Sequence, residues 1–375
     1  MSHSPFRIAR INTDAIAGNV RRIKELTAVE DVMIVVKANA YGHGMVPAAK
    51  AALAGGATWL GTADIAEALT LRAAGITAPV LCWIHAPDET FDEAVAAEIT
   101  LGVASVAQLN AIAAAGHRTG NTPRVHLKLD TGLSRNGSSP EQWADFMRTA
   151  AELNASGDLH VEGVMSHLSN TSPEDDLEQL NVFQVGLSEL ADAGLTPRYV
   201  HLAASMAALT LPATRFNMVR CGIAAYGISP HESQRPADFG LTPAMTLEGR
   251  VVAVRRVPES TGVSYGYLHR TAHESTLALV PFGYGDGINR NASNAAPVVI
   301  NGSRYHVAGR IAMDQFVVNV EDDPVAVGDH VVLFGDPAVG HPSIHEWAAA
   351  GDSIGYEIAT RLIPTRLEYV YEGQV

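Results

Sequence analysis

Cysteine is nearly absent from this 375-residue chain: there are 2, Cys82 and Cys221, each inside an apolar stretch (PVLCWIH and MVRCGIAAYG). That excludes a disulfide-built scaffold and fits a reducing compartment, with packing as the role of both thiols. Basic residues are also scarce, 26 Lys and Arg against 40 Asp and Glu, for a formal net charge of -14. So acidic a chain lacks the basic surface that nucleic-acid phosphates or anionic lipids demand. No apolar run approaches the ~20 residues of a membrane span, and MSHSPFRIAR has no signal-like apolar core, so a cytoplasmic location is expected. Repeats and low-complexity tracts are missing too. What remains is globular composition, 47% apolar and 18% charged, in a chain long enough for a large domain and a smaller one.

The first two-thirds alternates between two textures. Strands are expected at Met33–Lys37, Thr58–Gly61, Pro79–Ile84, Ile99–Val103, Arg124–Asp130, Val161–His167, Tyr199–Ala203 and Met218–Tyr226. Between them lie alanine-rich stretches with helical spacing. In SVAQLNAIAAAGH, Val106, Leu109, Ile112 and Ala113 share one face ahead of a closing Gly116. INTDAIAGNVRRIKEL places a cap near Asn12–Asp14 before Ile16, Val20 and Ile23 in register. Strands alternating with helices imply parallel βαβ units, and eight of them in about 230 residues match a (β/α)8 barrel better than an open doubly wound sheet. A polar, proline-bearing linker, SPHESQRPADFGLTP, follows. Beyond it short strands dominate. Asn301-Gly302 between two apolar runs marks a two-residue hairpin, and Ser343 with Glu346 marks one capped helix. The expected division is residues 9–236 as the barrel and 237–375, with 1–8, as a mainly β domain.

Barrel chemistry sits at the C-terminal ends of the strands and in the loops after them. Those positions hold Lys37, Tyr41, His85, Arg135, His167, Ser205 and the run Arg220-Cys221-Gly222-Ile223. This rim is basic in an acidic protein, which points to an anionic ligand with more than one negative group. Singly, most have an ordinary reading: a strand-end lysine snorkels, a loop arginine is solvated, a strand-end histidine is hydrogen-bonded core. Arg220 differs, because NMVRCGIAAYG buries it and a buried guanidinium must be paired or bound. Lys37 ends the apolar run in VVKANAYGHG, where desolvation disfavours the ammonium and frees a nucleophilic amine. Pyridoxal phosphate satisfies the whole set. It brings a carbonyl for Lys37 and a phosphate for the N–H groups of Gly222 and Ile223 and the hydroxyls of Ser205 and Tyr41. It also brings a pyridine nitrogen for Arg220.

VVKANAYGHG, LKLDTGLSRNG, VRCGIAAYGISP, GVSYGY, PFGYGDGINR, GRIAMDQ and SIGYE occur in the order and spacing of bacterial alanine racemases. The resemblance runs from near residue 5 to near residue 370. It implies a barrel that binds pyridoxal phosphate, a following β domain, and a homodimer with shared active sites. The implied activity is interconversion of L- and D-alanine, supplying D-alanine for peptidoglycan. By the same resemblance, Lys37 holds the cofactor and is the base on one face of the substrate, and Tyr265 of the partner subunit is the base on the other. Tyr41, Ser205, Gly222, Ile223 and Tyr356 would hold the phosphate, with His167 and Arg220 forming a polar network that reaches towards Tyr265. Arg135 and the Met313 backbone would position the substrate carboxylate. Tyr284, Arg290 and Arg310 match the substrate corridor. Lys128 matches a lysine that is carbamylated in some members, where it orients the arginine at the position of Arg135.

Two bases are needed because a single base tends to return the proton to the side it left. Bringing a tyrosine pKa from ~10 towards ~7 is worth about 4 kcal/mol, which groups such as His167 and Arg220 could help supply. Two departures from the family stand out: Ala204, where an asparagine is common before the serine, and the 168–176 loop LSNTSPEDD, which lacks the acidic residue usually found early in that loop at the entry gate. A serine or broader-range racemase carries the same motifs. Decarboxylases of this fold lack the GVSYGY and GRIAMDQ pair, and non-catalytic proteins binding the cofactor lack the second domain. No metal is expected, since Pro342 and the Ser343 cap put His341 and His345 at a helix entrance instead of on one face.

Overall fold

The computed structural model describes residues 6–231 and 233–374; residues 1–5, Glu232 of the expected linker, and Val375 lie outside the described residues. The chain forms two compact units, one of Ala17–Ala40 with Ala48–Ala225, the other of Met1–Ile16, Tyr41–Pro47 and Tyr226–Val375.

After β1 (Arg7–Asn12), which belongs to the second unit, the first unit contributes eight strands. They are β2 (Asp31–Val35), β3 (Trp59–Thr62), β4 (Val80–Cys82), β5 (Thr100–Val103), β6 (Arg124–Lys128), β7 (His160–Met165), β8 (Tyr199–His201) and β9 (Met218–Cys221). Parallel ladders join them in the order β8-β7-β6-β5-β4-β3-β2-β9. An isolated bridge, Ala204 to Arg220, spans the remaining seam. The ring is a nearly closed (β/α)8 barrel, as the strand count predicts. Met33, Trp59, Leu81, Met165 and Met218 fill its centre, with Trp83 and Tyr199 packed against them.

All eight expected strands are present, yet several stop early. Val35, Lys128, Met165, His201 and Cys221 end strands that the sequence carries to Lys37, Asp130, His167, Ala203 and Tyr226. Apolar composition reports burial, not ladder pairing, and the buried chain continues past the last ladder bond into the mouth of the barrel. Gly116 does not close its helix either. The helix runs Val106–Thr119, capped by Ser105 and ended by a left-handed Gly120. Asn12 does cap the first helix, Thr13–Thr27, accepting from Ala15 N–H at 2.9 Å.

The second unit is a nine-stranded sheet in which β1 lies antiparallel to Met245–Arg250 and parallel to Glu368–Glu372. The Asn301-Gly302 hairpin forms as expected: φ is 48° and 85°, the left-handed pair a two-residue turn requires, and Ile300 faces Ser303. Ser343 and Glu346 make a capping box on Ile344–Ala350. A two-stranded hairpin, Gly262–Val263 with His269–Arg270, carries Tyr265 at its tip. Below the Tyr284 turn, the fully buried Asp286 is held by Arg366 at 2.7 Å and Arg7 at 3.6 Å, the pairing a buried carboxylate needs. Among the described residues no helix is long and apolar enough to cross a membrane.

Candidate active site

Where β2 stops, the backbone changes hand. Val36 N–H still bonds Gly61 O at 2.8 Å, but Ala38, Asn39, Ala40 and Tyr41 then take φ of 52°, 54°, 55° and 53°. This is one turn of left-handed helix, closed by Ala40 N–H to Val36 O at 2.8 Å. L-residues in that conformation cost roughly 1–2 kcal/mol each, so surrounding structure must hold the turn. Lys37 therefore opens a strained turn and does not finish a strand. Gly42 continues it with φ of 80°, and a Cβ there would lie 2.2 Å from Ala359 O.

The Lys37 ammonium lies 5.9 Å from the centre of the Trp83 ring. Burial, then Arg135 and Arg220, pull its pKa below the usual lysine value, with Glu67 opposing. Lys128 closes β6 and is only 9% exposed. Burial first, then Arg220, Arg135 and Lys37, bring its pKa down to about 8. Arg135 stands exposed on the loop that follows. Asp130 shapes that loop by accepting from Gly132 and Ser134 N–H, each at 3.1 Å, while Ser138 N–H bonds Lys128 O at 2.9 Å.

Arg220 is 5% exposed, and among the described residues its guanidinium meets no carboxylate. Nη1 donates to His201 O at 3.0 Å and to His201 Nδ1 at 3.1 Å. Nη2 donates to Ser166 O at 2.7 Å, Leu202 O at 3.1 Å and His167 Nδ1 at 3.1 Å. None of these bonds uses Nε–H. Burial lowers the Arg220 pKa to about 10, which still leaves it charged at neutral pH.

Because a guanidinium only donates, both imidazoles accept at Nδ1 and carry their proton on Nε2. His201 Nε2 then donates to His126 Nδ1 at 2.8 Å, and His126 turns its own Nε2–H towards Glu162 Oε1, 3.6 Å away. Glu162 also accepts from Thr100 Oγ1 at 2.8 Å. His167 is kept neutral, its pKa pushed down to about 2 by burial and then by Arg220, Arg135, Lys128 and Lys37. The sequence reading included His167 and Arg220 but missed Trp83, Glu67, His126, Glu162 and His201. One signal was available: His126 and Lys128 are two apart on a strand and so share a face.

Ser205 Oγ accepts from Gly222 N–H at 3.0 Å, and Ile223 opens the short turn that follows. Ala204 caps the Ser205 helix with no side-chain bond, the local consequence of the missing asparagine. His85 is accounted for by structure, its Nε2 held 3.0 Å from Gly102 O and its ring against Phe91.

The β unit gathers a second set. Ser264 Oγ donates to Arg310 O at 2.7 Å, Ile311 N–H to Ser293 Oγ at 3.0 Å, and Ser293 Oγ to Arg290 O at 2.6 Å. Tyr284 and Gly285 N–H bond Ala312 O and Met313 O at 3.1 and 2.7 Å. These bonds tie the Tyr265 hairpin, Tyr284, Arg290, Arg310 and Met313 together, with Arg310 half-buried and Tyr265 itself 70% exposed. Elsewhere in this unit the Tyr41 and Tyr356 rings lie 6.2 Å apart.

The family model for the alanine racemase N-terminal domain matches residues 11–230, and that for the C-terminal domain matches 244–371. An alanine racemase of Thermobifida fusca is 50% identical over 375 residues, covering 99% of this chain and all of that protein (100%). One from Salinispora arenicola is 49% identical over 369 residues, covering 97% and 98%. Among solved structures, the alanine racemase of D-cycloserine-producing Streptomyces lavendulae aligns with a TM-score of 0.97 at 43% identity, covering 100% of this chain and 99% of that one. The Bacillus anthracis alanine racemase with bound L-Ala-P gives 0.89 at 34% identity, covering 100% and 97%.

Proposed function

The chain belongs to the alanine racemase family, isomerases acting on alanine, and from that premise we propose that it works with pyridoxal phosphate on Lys37 and with two bases. The observation that carries the cofactor reading is the cluster of Lys37, Lys128, Arg135 and Arg220, whose most buried member is bonded, among the described residues, to neutral acceptors alone. Such a cluster suits a ligand with several negative charges. The residues fit pyridoxal phosphate one by one: a lysine amine of lowered basicity, Ser205 with the Gly222 and Ile223 backbone for the phosphate, and an Arg220 Nε–H that can donate to a ring nitrogen. Tyr41 and Tyr356 are the further phosphate partners. When bound, the cofactor supplies electron withdrawal that acidifies the substrate α-carbon.

The side chains do the rest. The Lys37 amine takes or returns the α-proton on one face, and Tyr265 of the partner subunit does so on the other. Arg135 and the Met313 backbone orient the substrate carboxylate; Tyr284, Arg290 and Arg310 line the approach. Because Arg220 only donates, its Nε–H would hold a ring nitrogen in the unprotonated form. A Tyr265 hairpin so exposed suits completion of a second protomer's site, so the working form is a homodimer. Lys128, with an unusually accessible neutral amine, is the carbamate position, and its negative charge would then hold Arg135. A cytoplasmic enzyme supplying D-alanine for peptidoglycan is the role this reading assigns.

The test incubates the cofactor-loaded protein separately with L-alanine and L-serine and follows the D-isomers by chiral chromatography. D-alanine with little D-serine is expected. Tyr265→Phe should lower kcat by about 10²–10⁴ while keeping the cofactor's visible band. Unchanged turnover in that variant removes Tyr265 from the mechanism, and a fully active monomer in sedimentation overturns the shared site.

A further inference from the structure

We propose that Glu67 is the positioning residue that holds the Lys37 turn left-handed and so sets where the lysine amine stands; this rests on the reading that Lys37 carries pyridoxal phosphate. Glu67 lies in the first turn of the helix Ile65–Ala73. Its Oε1 accepts from Ala38 N–H at 2.6 Å and its Oε2 from Ala63 N–H at 2.8 Å. Ala38 is the first residue of the left-handed run, where a helical turn has no internal partner for its N–H. Ala63 directly follows β3, the strand paired with β2. One carboxylate thus joins the segments that leave two neighbouring strands of the barrel.

The anchor is itself fixed. Asp64 Oδ1 accepts from Glu67 N–H at 2.9 Å, and Ile65, Ala68 and Leu71 bury the helix. An acidic residue at this position of a helix ordinarily bonds the backbone of its own cap. Glu67 is diverted instead, one oxygen to the residue before the cap and the other to the lysine turn, which self-capping does not explain. Among the described residues it is also the one carboxylate acting on Lys37, set against Arg135 and Arg220. Its removal therefore has one readable consequence: a looser turn that no longer fixes where the amine stands, which outweighs the larger share of neutral amine left when the carboxylate is gone.

The experiment uses the full-length protein, unaltered and as Glu67→Ala and Glu67→Gln. Each is equilibrated with graded pyridoxal phosphate, reduced with borohydride and digested, and labelling of Lys37 is read by mass spectrometry. Amide exchange at Ala38 and Ala63 is followed in parallel. Glu67→Ala should raise the concentration for half-labelling by about tenfold or more, and speed exchange at those two amides while the barrel strands stay protected. Glu67→Gln should fall between, because its amide oxygen satisfies one N–H while its NH₂ faces the other. Identical labelling and exchange in Glu67→Ala overturn the proposal; if that variant does not fold, the same outcome in Glu67→Gln overturns it. An unlabelled Lys37 in the unaltered protein overturns the cofactor reading, and this inference with it.

Discussion

Replacing Lys128 with methionine should make the protein more stable, and only below alkaline pH. The ammonium at 128 is buried beside Arg220, Arg135 and Lys37, and its pKa falls from 10.5 to about 8. At about 1.36 kcal/mol per pH unit, that is ~3 kcal/mol by which the folded protein disfavours the charged form. The unfolded chain binds this proton more tightly, so stability rises with pH between about 8 and 10.5. The penalty is present in full below that window and absent above it. Methionine keeps the stem and drops the charge at similar volume, so packing loss is below about 1.5 kcal/mol. Lys128→Met should then gain a few kcal/mol at most at pH 7, with the gain vanishing as pH approaches 10.5. Urea unfolding of the cofactor-free protein from pH 6 to 10, in bicarbonate-free buffer, measures it. A variant no more stable at pH 7, or a difference that ignores pH, refutes the reasoning. Bicarbonate adds a second arm. With a pKa near 8, about a tenth of Lys128 is neutral amine at pH 7, against about one in three thousand for an ordinary lysine. Carbamate formation replaces the repelled cation with an attracted anion, so bicarbonate should stabilise the unaltered protein and leave Lys128→Met unmoved. No bicarbonate effect would count against the carbamate.

Two further outcomes follow from the barrel interior. A Cβ at Gly163 would sit 2.5 Å from the His126 ring, so Gly163→Ala must displace that ring from its 2.8 Å bond with His201; a loss of about 1–3 kcal/mol is expected, and an unchanged urea midpoint would show that the ring moves freely. His167, with its pKa depressed to about 2, contributes stability that is complete above ~6.5 and is lost as pH falls, so His167→Gln should flatten the decline in unfolding free energy between about pH 6 and 4. An equally steep acid decline in both proteins would assign the loss to other buried groups, such as His201 and His126.

The barrel, the Asn301-Gly302 hairpin and the Ser343 cap were legible in the sequence because each obeys a local rule: a hydrophobic period, a left-handed residue pair, an oxygen placed to bond an amide. Lys37, Arg135, His167 and Arg220 were legible as a group because strand ends of one barrel share a face, and ordered motifs named the family. Strand ends were misread because burial continues where pairing stops. The hand of the turn after Lys37 was not legible at all. Ala38, Asn39 and Ala40 carry no glycine signal, and the carboxylate that meets the turn lies 29 residues further along. The same holds for the charge states. Among the described residues Arg220 meets only neutral acceptors, His201 and His126 take a defined proton order, and Lys128 falls to about 8, only because several strands bring these groups together out of water. Local geometry is written in neighbouring residues, but strain and basicity are sums over everything packed around a group, and only the folded barrel assembles that sum.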